Sequence, residues 1–317
     1  MTSETHALSQ GKKGKTWKSF KIVLRRDYQL YLLVIPSIIY FLVFHYAPMY
    51  GIQIAFKDFS PTLGITGSPW AGLKHFERFF SSHQFWRLIK NTLGVSLYQL
   101  IAGFPIPIML ALLINQVKQK HFKKLVQTVT YIPHFISIVV LVGMINVFLS
   151  PTSGLVNHVL ELFGREPVYF LGEPNFFKSI FVWSGVWQSA GWGSIIYLAA
   201  LSGVNPELYE AAKVDGASKF QTIRNIDLPS IMPTIIVLLI MNLGRIMNVG
   251  FQKAYLLQNP LNAGASEVIQ TYMYKIGLIG MQFEYSTAIS LFNTLINVIL
   301  LVTANQLSKK FTENSLW

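Results

Sequence analysis

The sequence of 317 residues contains no cysteine and few charged residues. Without cysteine the chain has no disulfides, thiolate metal ligands or cysteine nucleophile, and its redox compartment stays undetermined. Charged residues make up 13% of the chain, about half of the share that is usual in soluble domains. Acidic residues are the scarcest, with 14 against 26 lysines and arginines. None of them falls clearly within a long apolar segment, which argues against an ion-coupled carrier.

Apolar residues dominate instead, since 52% of the chain is hydrophobic and 14% is aromatic. Each long apolar stretch has about 20 to 27 residues, enough to cross a hydrocarbon core of roughly 30 Å. The sequence therefore predicts an all-α integral membrane protein with about six transmembrane helices, and Pro105 and Pro107 should bend the second. The predicted spans are 29–50, 91–116, 126–149, 177–203, 230–250 and 285–306. Polar residues within several spans suit helices that surround a pathway.

The distribution of lysine and arginine predicts the orientation of the chain. Seven lie in residues 1–28, four in 117–125, three in 205–230 and two near the C-terminus, giving sixteen on one side against ten on the other. Short basic connections mark the cytoplasmic side, so both termini and the 205–230 segment are expected there. The first apolar stretch is too long for a cleavable signal peptide and should remain as an anchor. The same charge pattern disfavours nucleic-acid binding.

A polar segment between two apolar stretches has the sequence signals of a helix-turn-helix. Asn205 is a good N-cap and Pro206 suits the first helical turn. Gly216 can adopt the left-handed conformation that ends a helix. Ser218 and Gln221 have the spacing of a capping box, which predicts a second helix. The segment is therefore expected to form a compact knob whose small residues can seat in a groove of a partner.

This segment resembles the EAA loop of binding-protein-dependent ABC importer permeases, which fits into the ATPase subunit. The matching positions are Glu210, Ala211, Ala212, Gly216 and the ending Ile226-Asp227-Leu228-Pro229. The resemblance implies the type I ABC importer permease fold, with a second permease, two ATPase subunits and an external solute-binding protein as partners. It implies that ATP and Mg²⁺ bind the ATPase, that no cofactor binds this chain, and that the chain is not an enzyme. The residues expected to couple to the ATPase are Glu210, Ala211, Ala212, Asp215, Gly216, Leu228 and Pro229.

The domain organisation predicted on this basis has five parts. They are a basic cytoplasmic tail (1–28), a first anchor (29–50), an outer aromatic-rich segment (51–86), a permease core (87–306) with the coupling loop at 205–230, and a cytoplasmic C-terminus (307–317). The outer segment is expected to hold a short helix near 72–82. Its aromatic rings suit either a docking rim for the binding protein or a belt at the membrane surface. A further short helix is expected near 266–278.

Scattered matches resemble one subgroup, the LplB-type polysaccharide permeases of the inner membrane. They include Tyr46-Ala-Pro-Met-Tyr-Gly51, Asn91-Thr92, Gly191-Trp192, Asn248-Val-Gly-Phe251 and Asn259-Pro260. Members serve oligosaccharides, including uronate-bearing ones, and the chain is similar to the first permease subunit of alginate importers. The motif alone also allows an importer of another small solute, such as amino acids or phosphate. A channel or ion-coupled carrier that acts without ATP is disfavoured, because no acidic residue falls clearly within a span. A membrane-embedded enzyme is disfavoured, because no Walker A, His-Glu-x-x-His or nucleophile-elbow motif is present.

Arg245 is the most unusual charge of the chain, because it follows an apolar run. An arginine at mid-bilayer costs about 2.5–3.5 kcal/mol, so it should face the protein interior or a wet cavity. One hypothesis is that Arg245 attracts an anionic sugar by pairing with its carboxylate; a structural salt bridge and a snorkelling arginine are the alternatives. Asn242 and Asn248 are further pathway candidates, although at most one is expected to share a surface with Arg245.

Trp187 and Trp192, five residues apart, are also candidates to line the substrate pathway, because indole rings can stack on sugars. Helix packing is the competing explanation for either ring. His45 and His134, near span ends, are expected to be interfacial or satisfied rather than metal ligands.

Overall fold

The computed structural model describes residues 26–312 and residue 316, so the predicted basic tail lies almost wholly outside the described part. The chain divides into two compact units, one up to Trp70 and one from Ala71 onward. Within the described residues the regular structure is helical, and the only β pairing there is an isolated antiparallel bridge between Lys57 and Trp70. The all-α prediction is confirmed.

The first unit contains the predicted anchor. Tyr28–Phe56 forms a run of 29 residues that is long and apolar enough to cross a membrane. No side chain of its first helix is buried, as expected for a helix whose apolar surface faces lipid. The elements are α1 (Tyr28–Phe41), a π-helical turn (Leu42–Tyr46), α2 (Ala47–Met49), a 3₁₀ segment (Tyr50–Phe56) and α3 (Gly64–Gly67).

The second unit carries the remaining helices, which we number in chain order. They are α4 (Lys74–Phe80), α5 (Gln84–Gly103), α6 (Pro105–Asn115), α7 (Lys120–Tyr131), α8 (Ile138–Phe148), α9 (Leu155–Leu162), α10 (Pro174–Ser202), α11 (Pro206–Val214), α12 (Lys219–Thr222), α13 (Leu228–Leu243), α14 (Phe251–Leu257), α15 (Ala263–Ser266), α16 (Ile269–Tyr274) and α17 (Phe283–Thr312). A 3₁₀ segment (Ile132–Phe135) follows α7, and π-helical turns (Ile223–Asp227 and Lys275–Ile279) follow α12 and α16.

Helix α10 lies at the centre of this unit and contacts α5, α6, α7, α13 and α14. Its N-terminal half packs Phe181 and Val182 against α5, α8 and α14, and its C-terminal half packs Tyr197 and Leu201 against α6 and α13. At Gly191 the helix comes so close to α7 that a Cβ atom would overlap the backbone carbonyl of Thr130. Small residues permit this kind of close helix contact within membranes.

Among the described residues, four helical runs are long and apolar enough to cross a membrane, or five if one bent pair counts as a single span. They are Tyr28–Phe56, Gln84–Asn115, Lys219–Leu243 and Phe283–Lys310, with the bent pair at Lys120–Phe148. The remaining predicted span, 177–203, corresponds to α10, whose 29 residues extend about 43 Å. Helix α10 is long enough to cross, but its serine, glycine, glutamine and lysine residues make it less apolar than the others.

The predicted span at 126–149 is not one straight helix but a bent pair of helices. Helices α7 and α8 are bent by 98° relative to each other. Pro133 lies in a 3₁₀ turn that ends the first helix, and the side chain of Ser137 caps the second by accepting a hydrogen bond from the amide of Val140. Proline and a strong N-cap together explain the break. By contrast, the proline-containing second span divides at Phe104 into α5 and α6, where a bend was expected.

The predicted short helix near 72–82 is present as α4, and the one near 266–278 as α16 with its π-helical turn. The ring of Phe79 in α4 is 1% exposed and packs edge-to-face against Phe85 and Phe292. Part of the aromatic outer segment is therefore core, and accounts for neither a docking rim nor a surface belt. Trp86, at 67% exposure, remains available for either role.

Candidate functional site

The predicted coupling loop has the local structure that its sequence signals indicated. Asn205 caps α11 by accepting a hydrogen bond from the amide of Glu207 at 3.1 Å. Gly216 ends that helix with φ +70°, in the left-handed region. Ser218 and Gln221 form the reciprocal capping box of α12, with backbone-to-side-chain distances of 3.3 and 2.7 Å. Capping and the glycine conformation together fix the angle between the two short helices.

The candidate coupling residues lie on the surface of this loop. Glu210, Ala211, Asp215 and Gly216 are exposed, Ala212 and Leu228 are half-buried, and Pro229 is exposed. Two large apolar side chains accompany them, Val214 at 88% and Phe220 at 71% exposure. An acidic, small-residue surface flanked by exposed apolar side chains has the character of a docking surface.

Beneath the loop lies a buried polar cluster that the sequence did not predict. Asp227, in the π-helical turn before α13, is fully buried. Its carboxylate accepts hydrogen bonds from Gln116 Nε2 at 2.7 Å, from Tyr209 Oη at 2.6 Å and from Asn115 Nδ2 at 3.3 Å. Asn115 and Gln116 lie at the end of α6, whereas Tyr209 belongs to α11. Asp227 therefore links the coupling loop to two membrane helices.

The tyrosine of this cluster is held in its protonated form. Burial raises the pKa of Tyr209 to about 12, and the hydrogen bond to Asp227 contributes further in the same direction. The phenol therefore remains a donor throughout the physiological pH range. Two sequence signals pointed to Asp227, its place in the ending that resembles the EAA loop and its position directly before the apolar run of α13. Nothing in the local pattern identified the partners of its carboxylate.

A cavity of about 470 Å³ lies between α5, α6, α10 and α13. Its polar lining comes from Gln99 of α5, Ser189 of α10, Asn242 at the end of α13, and Arg245 and Asn248 in the segment that follows. Among the described residues the lining includes one cationic side chain and no acidic one. Ser96 of α5 also lines it, and its buried Oγ has no hydrogen-bond partner within the described residues. The cavity is thus largely apolar, with one positive charge and several amide and hydroxyl groups.

Arg245 lies where the predicted span at 230–250 stops being helical. Helix α13 ends at Leu243, and the irregular backbone that follows is stabilised by two buried asparagines of α17. Asn297 Oδ1 accepts from the amide of Met247 at 3.1 Å, and Asn293 Nδ2 donates to Asn248 Oδ1 at 3.1 Å. Non-helical backbone at membrane depth is tolerated where protein or a wet cavity satisfies it.

This break also corrects the expectation for the two asparagines. Asn242 and Asn248 both line the same cavity as Arg245. Six residues separate them, which would place them on different faces of a continuous helix, but the turn after Leu243 brings them to one surface. The guanidinium of Arg245 takes part in no ion pair within residues 26–312. A structural salt bridge within the described chain is therefore not the explanation for this arginine.

The two candidate tryptophans of α10 have different positions. Trp192 lines the cavity and stacks on the imidazole of His134, with ring centroids 4.4 Å apart. Trp187 lies outside the cavity and is 49% exposed. Five residues correspond to about 140° around a helix, which puts the two rings on different faces. Among the described residues no group of three histidine or acidic side chains could hold a metal ion.

Comparison with known proteins identifies the family of the chain. Residues 103–312 match the family described as binding-protein-dependent transport system inner membrane component. The chain belongs to this family. It is a multi-pass permease of the inner membrane rather than an enzyme, and it has the type I ABC importer permease fold.

Several relatives resemble this permease along nearly its whole length. It is 46% identical to the polygalacturonan/rhamnogalacturonan transport system permease protein YteP of Bacillus subtilis (strain 168), over 95% of this chain and 94% of the relative. It is 41% identical to the protein LplB of the same organism, over 96% of this chain and 95% of that protein. The LplB-type resemblance is therefore confirmed.

A solved structure agrees in fold as well as in sequence. A chain of a bacterial ABC transporter involved in the import of the acidic polysaccharide alginate superposes with a TM-score of 0.86 and 45% identity, covering 94% of this chain and 99% of that one. The structural agreement covers 94% of this chain, whereas the family match covers only residues 103–312.

Proposed function

We propose that this permease belongs to an ATP-driven importer of acidic oligosaccharides, those that carry uronate residues. The observation that carries the proposal is the guanidinium of Arg245, which has no ion-pair partner among residues 26–312 and lies in a cavity whose described lining includes no acidic side chain. An arginine pairs with a carboxylate through two parallel hydrogen bonds, and such charge-assisted bonds are stronger than neutral ones. The relatives named for polygalacturonan and alginate transport favour the same class of substrate over amino acids or phosphate.

The remaining polar groups of the cavity suit the hydroxyls of a sugar. Amides of Gln99 and Asn242 and the hydroxyl of Ser96 supply donors and acceptors, while Trp192 offers an apolar ring face. Sugar sites combine such stacking with hydrogen bonds. The volume of about 470 Å³ lies within the range of small-molecule sites, so the cavity accommodates part of an oligosaccharide at one time.

The coupling loop completes the mechanism. In this proposal Glu210, Ala211, Ala212, Asp215 and Gly216 dock on an ATPase subunit, which binds ATP and Mg²⁺, at the cytoplasmic face. Leu228 and Pro229 connect the loop to α13. The full importer contains a second permease, two ATPase subunits and an external solute-binding protein, and works by alternating access.

Asp227 gives this coupling a physical route. Movement of the loop is passed to α6 and α13 because its carboxylate is bonded to Tyr209 of the loop and to Asn115 and Gln116 of α6. Buried, fully bonded polar clusters are stiffer than apolar contacts, which can slide.

Transport by the complete reconstituted importer tests the choice of substrate. The probes are tetragalacturonate, tetramannuronate and their carboxyl-reduced neutral counterparts of the same length. Arg245→Met should reduce uptake of the charged probe at least tenfold and change uptake of the neutral probe less than twofold. Lys90→Met, which removes an exposed cation of α5, serves as the control and should leave uptake unchanged. Equal losses for charged and neutral probes in Arg245→Met would refute the assignment.

A further inference from the structure

A second cation, Lys253 of α14, lies next to the cavity without being part of its lining. Its side chain is 7% exposed, and its Nζ donates to the carbonyl oxygen of Phe181 at 2.6 Å. The same Nζ stands 4.7 Å from the centroid of the Phe181 ring. None of the ion pairs within residues 26–312 includes Lys253. This ammonium group is therefore buried without an acidic partner.

Burial of a cation without an acidic partner destabilises the folded protein, so the presence of lysine here calls for a functional explanation. Removing an ammonium group from water costs several kcal/mol, and one carbonyl and one ring face offset only part of that cost. An ammonium has three donors, and here only one has a hydrogen-bond partner within the described residues. A methionine or leucine would fill the same space between α14 and α10 without the penalty. Packing alone therefore does not account for lysine at this position.

Gly185 of α10 adjoins both the cavity and this ammonium. It lines the cavity, and a Cβ atom built on it would lie 3.1 Å from Nζ of Lys253. Because glycine has no side chain, no side-chain carbon of residue 185 lies against the ammonium. Any side chain at this position would contact Nζ.

We propose that Lys253 is a second carboxylate-binding group of the cavity, reached across Gly185. It acts together with Arg245, so that an acidic sugar meets one cation in the lining and another immediately behind it. The ligand class is a sugar carboxylate, and the inference rests on the proposed function. Lysine suits this position because its ammonium is a compact point charge on a flexible stem, able to exchange the Phe181 carbonyl for a ligand oxygen.

Two substitutions of Lys253 separate its charge from its bond to α10. Lys253→Gln removes the charge but keeps a donor for the Phe181 carbonyl, whereas Lys253→Arg keeps the charge. In the reconstituted importer we expect Lys253→Gln to raise the KM for the transported uronate tetrasaccharide at least fivefold, and Lys253→Arg to restore most of it. Lys90→Gln is the matched control for the loss of a cation. Unchanged KM in Lys253→Gln, or equal changes for the charged and carboxyl-reduced probes, would overturn the proposal.

A third substitution leaves Lys253 intact and blocks access to it. Gly185→Ala places a methyl group against Nζ, so it should raise the KM for the uronate probe as Lys253→Gln does, and it should weaken the dependence of KM on salt. Gly143→Ala adds a methyl group in open space on α8 and is the matched control. If Lys253 only joins α14 to α10, Gly185→Ala will behave like Gly143→Ala, which would contradict the proposal.

These outcomes are distinct from a failure of the proposed function. If the wild-type importer moves neither charged probe, or moves its neutral counterpart equally well, acidic oligosaccharides are the wrong substrate class. If the wild type prefers the charged probe and Arg245→Met loses that preference while Lys253→Gln retains it, the function stands and the second carboxylate site is rejected. Thermal unfolding of each purified complex confirms that the variants are folded.

Discussion

Replacing Asp227 by asparagine tests whether the buried cluster beneath the coupling loop carries the loop's movement into the membrane. The substitution keeps the shape of the side chain and removes its charge. The amide that replaces one carboxylate oxygen then faces a donor, either Gln116 Nε2 or Tyr209 Oη. A hydrogen bond to a charged group contributes about 1.5–3 kcal/mol, so the variant loses roughly this amount from the cluster.

This loss of hydrogen-bond energy is large for a loop that is bonded to the membrane helices through this cluster. A change of about 2 kcal/mol lowers the equilibrium constant for the bonded arrangement about thirtyfold. We expect Asp227→Asn to hydrolyse ATP but to import several times less solute per ATP than the wild type, in proteoliposomes containing the complete importer. Tyr209→Phe removes one 2.6 Å bond and should have a similar effect.

The double variant sharpens the test. Because both substitutions weaken the same bond between Asp227 and Tyr209, the loss in the double variant should be smaller than the sum of the two single losses. Wild-type solute-to-ATP ratios in both single variants would refute the idea that this cluster transmits the movement. Additive losses would show that the two side chains act separately.

The cluster also has a predictable dependence on pH. Since the folded protein raises the pKa of Tyr209 from 10.0 to about 12, it favours the protonated phenol. The contribution of the protonated Tyr209 to the stability of the folded protein is therefore fully present below about pH 10, and it is lost as the pH rises through about 12. Titration of tyrosinate absorbance, compared between the wild type and Tyr209→Phe, measures this; a group that ionises near pH 10 would contradict it.

Three further substitutions probe the loop, the helix packing and the ion pairs of Glu267. Gly216→Ala forces an alanine into the left-handed region at a cost of about 1–2 kcal/mol, and should lower ATPase-coupled uptake without unfolding the membrane core. Gly191→Ala overlaps the backbone of α7 and should lower the melting temperature of the purified complex, whereas Gly143→Ala should not. Glu267→Gln weakens the ion pairs of Glu267 with Arg87 of α5, at 2.7 Å, and with Lys275 after α16, at 3.0 Å. It should lower the melting temperature less than Gly191→Ala does.

Local signals made the coupling loop predictable from the sequence. The conformation of this loop follows from residue type and spacing, because each signal involves only residues a few positions apart. These signals are Asn205, Gly216 and the Ser218–Gln221 capping box. The apolar stretches likewise predicted the positions of the spans, because length and hydropathy are properties of a segment alone.

Long-range contacts were not predictable in this way. The break after Leu243 depends on Asn297, which accepts a hydrogen bond from the amide of Met247, 50 residues earlier. The Asp227 cluster depends on Gln116, which is 111 residues away from Asp227. Helical periodicity therefore separated Asn242 from Asn248, although the turn places both in one cavity. The position of Trp187 outside the cavity follows from how α10 packs, which its own sequence does not determine.

The asparagines of α17 also have a consequence for how the permease is made. Asn293 and Asn297 are buried and find their partners in residues 247 and 248, which leave the ribosome earlier. An isolated α17 would expose these amides to lipid tails, so its membrane integration is favourable only beside a neighbour that is already inserted. We therefore expect α17 to dock laterally onto helices that are already inserted, as a checkpoint for correct assembly.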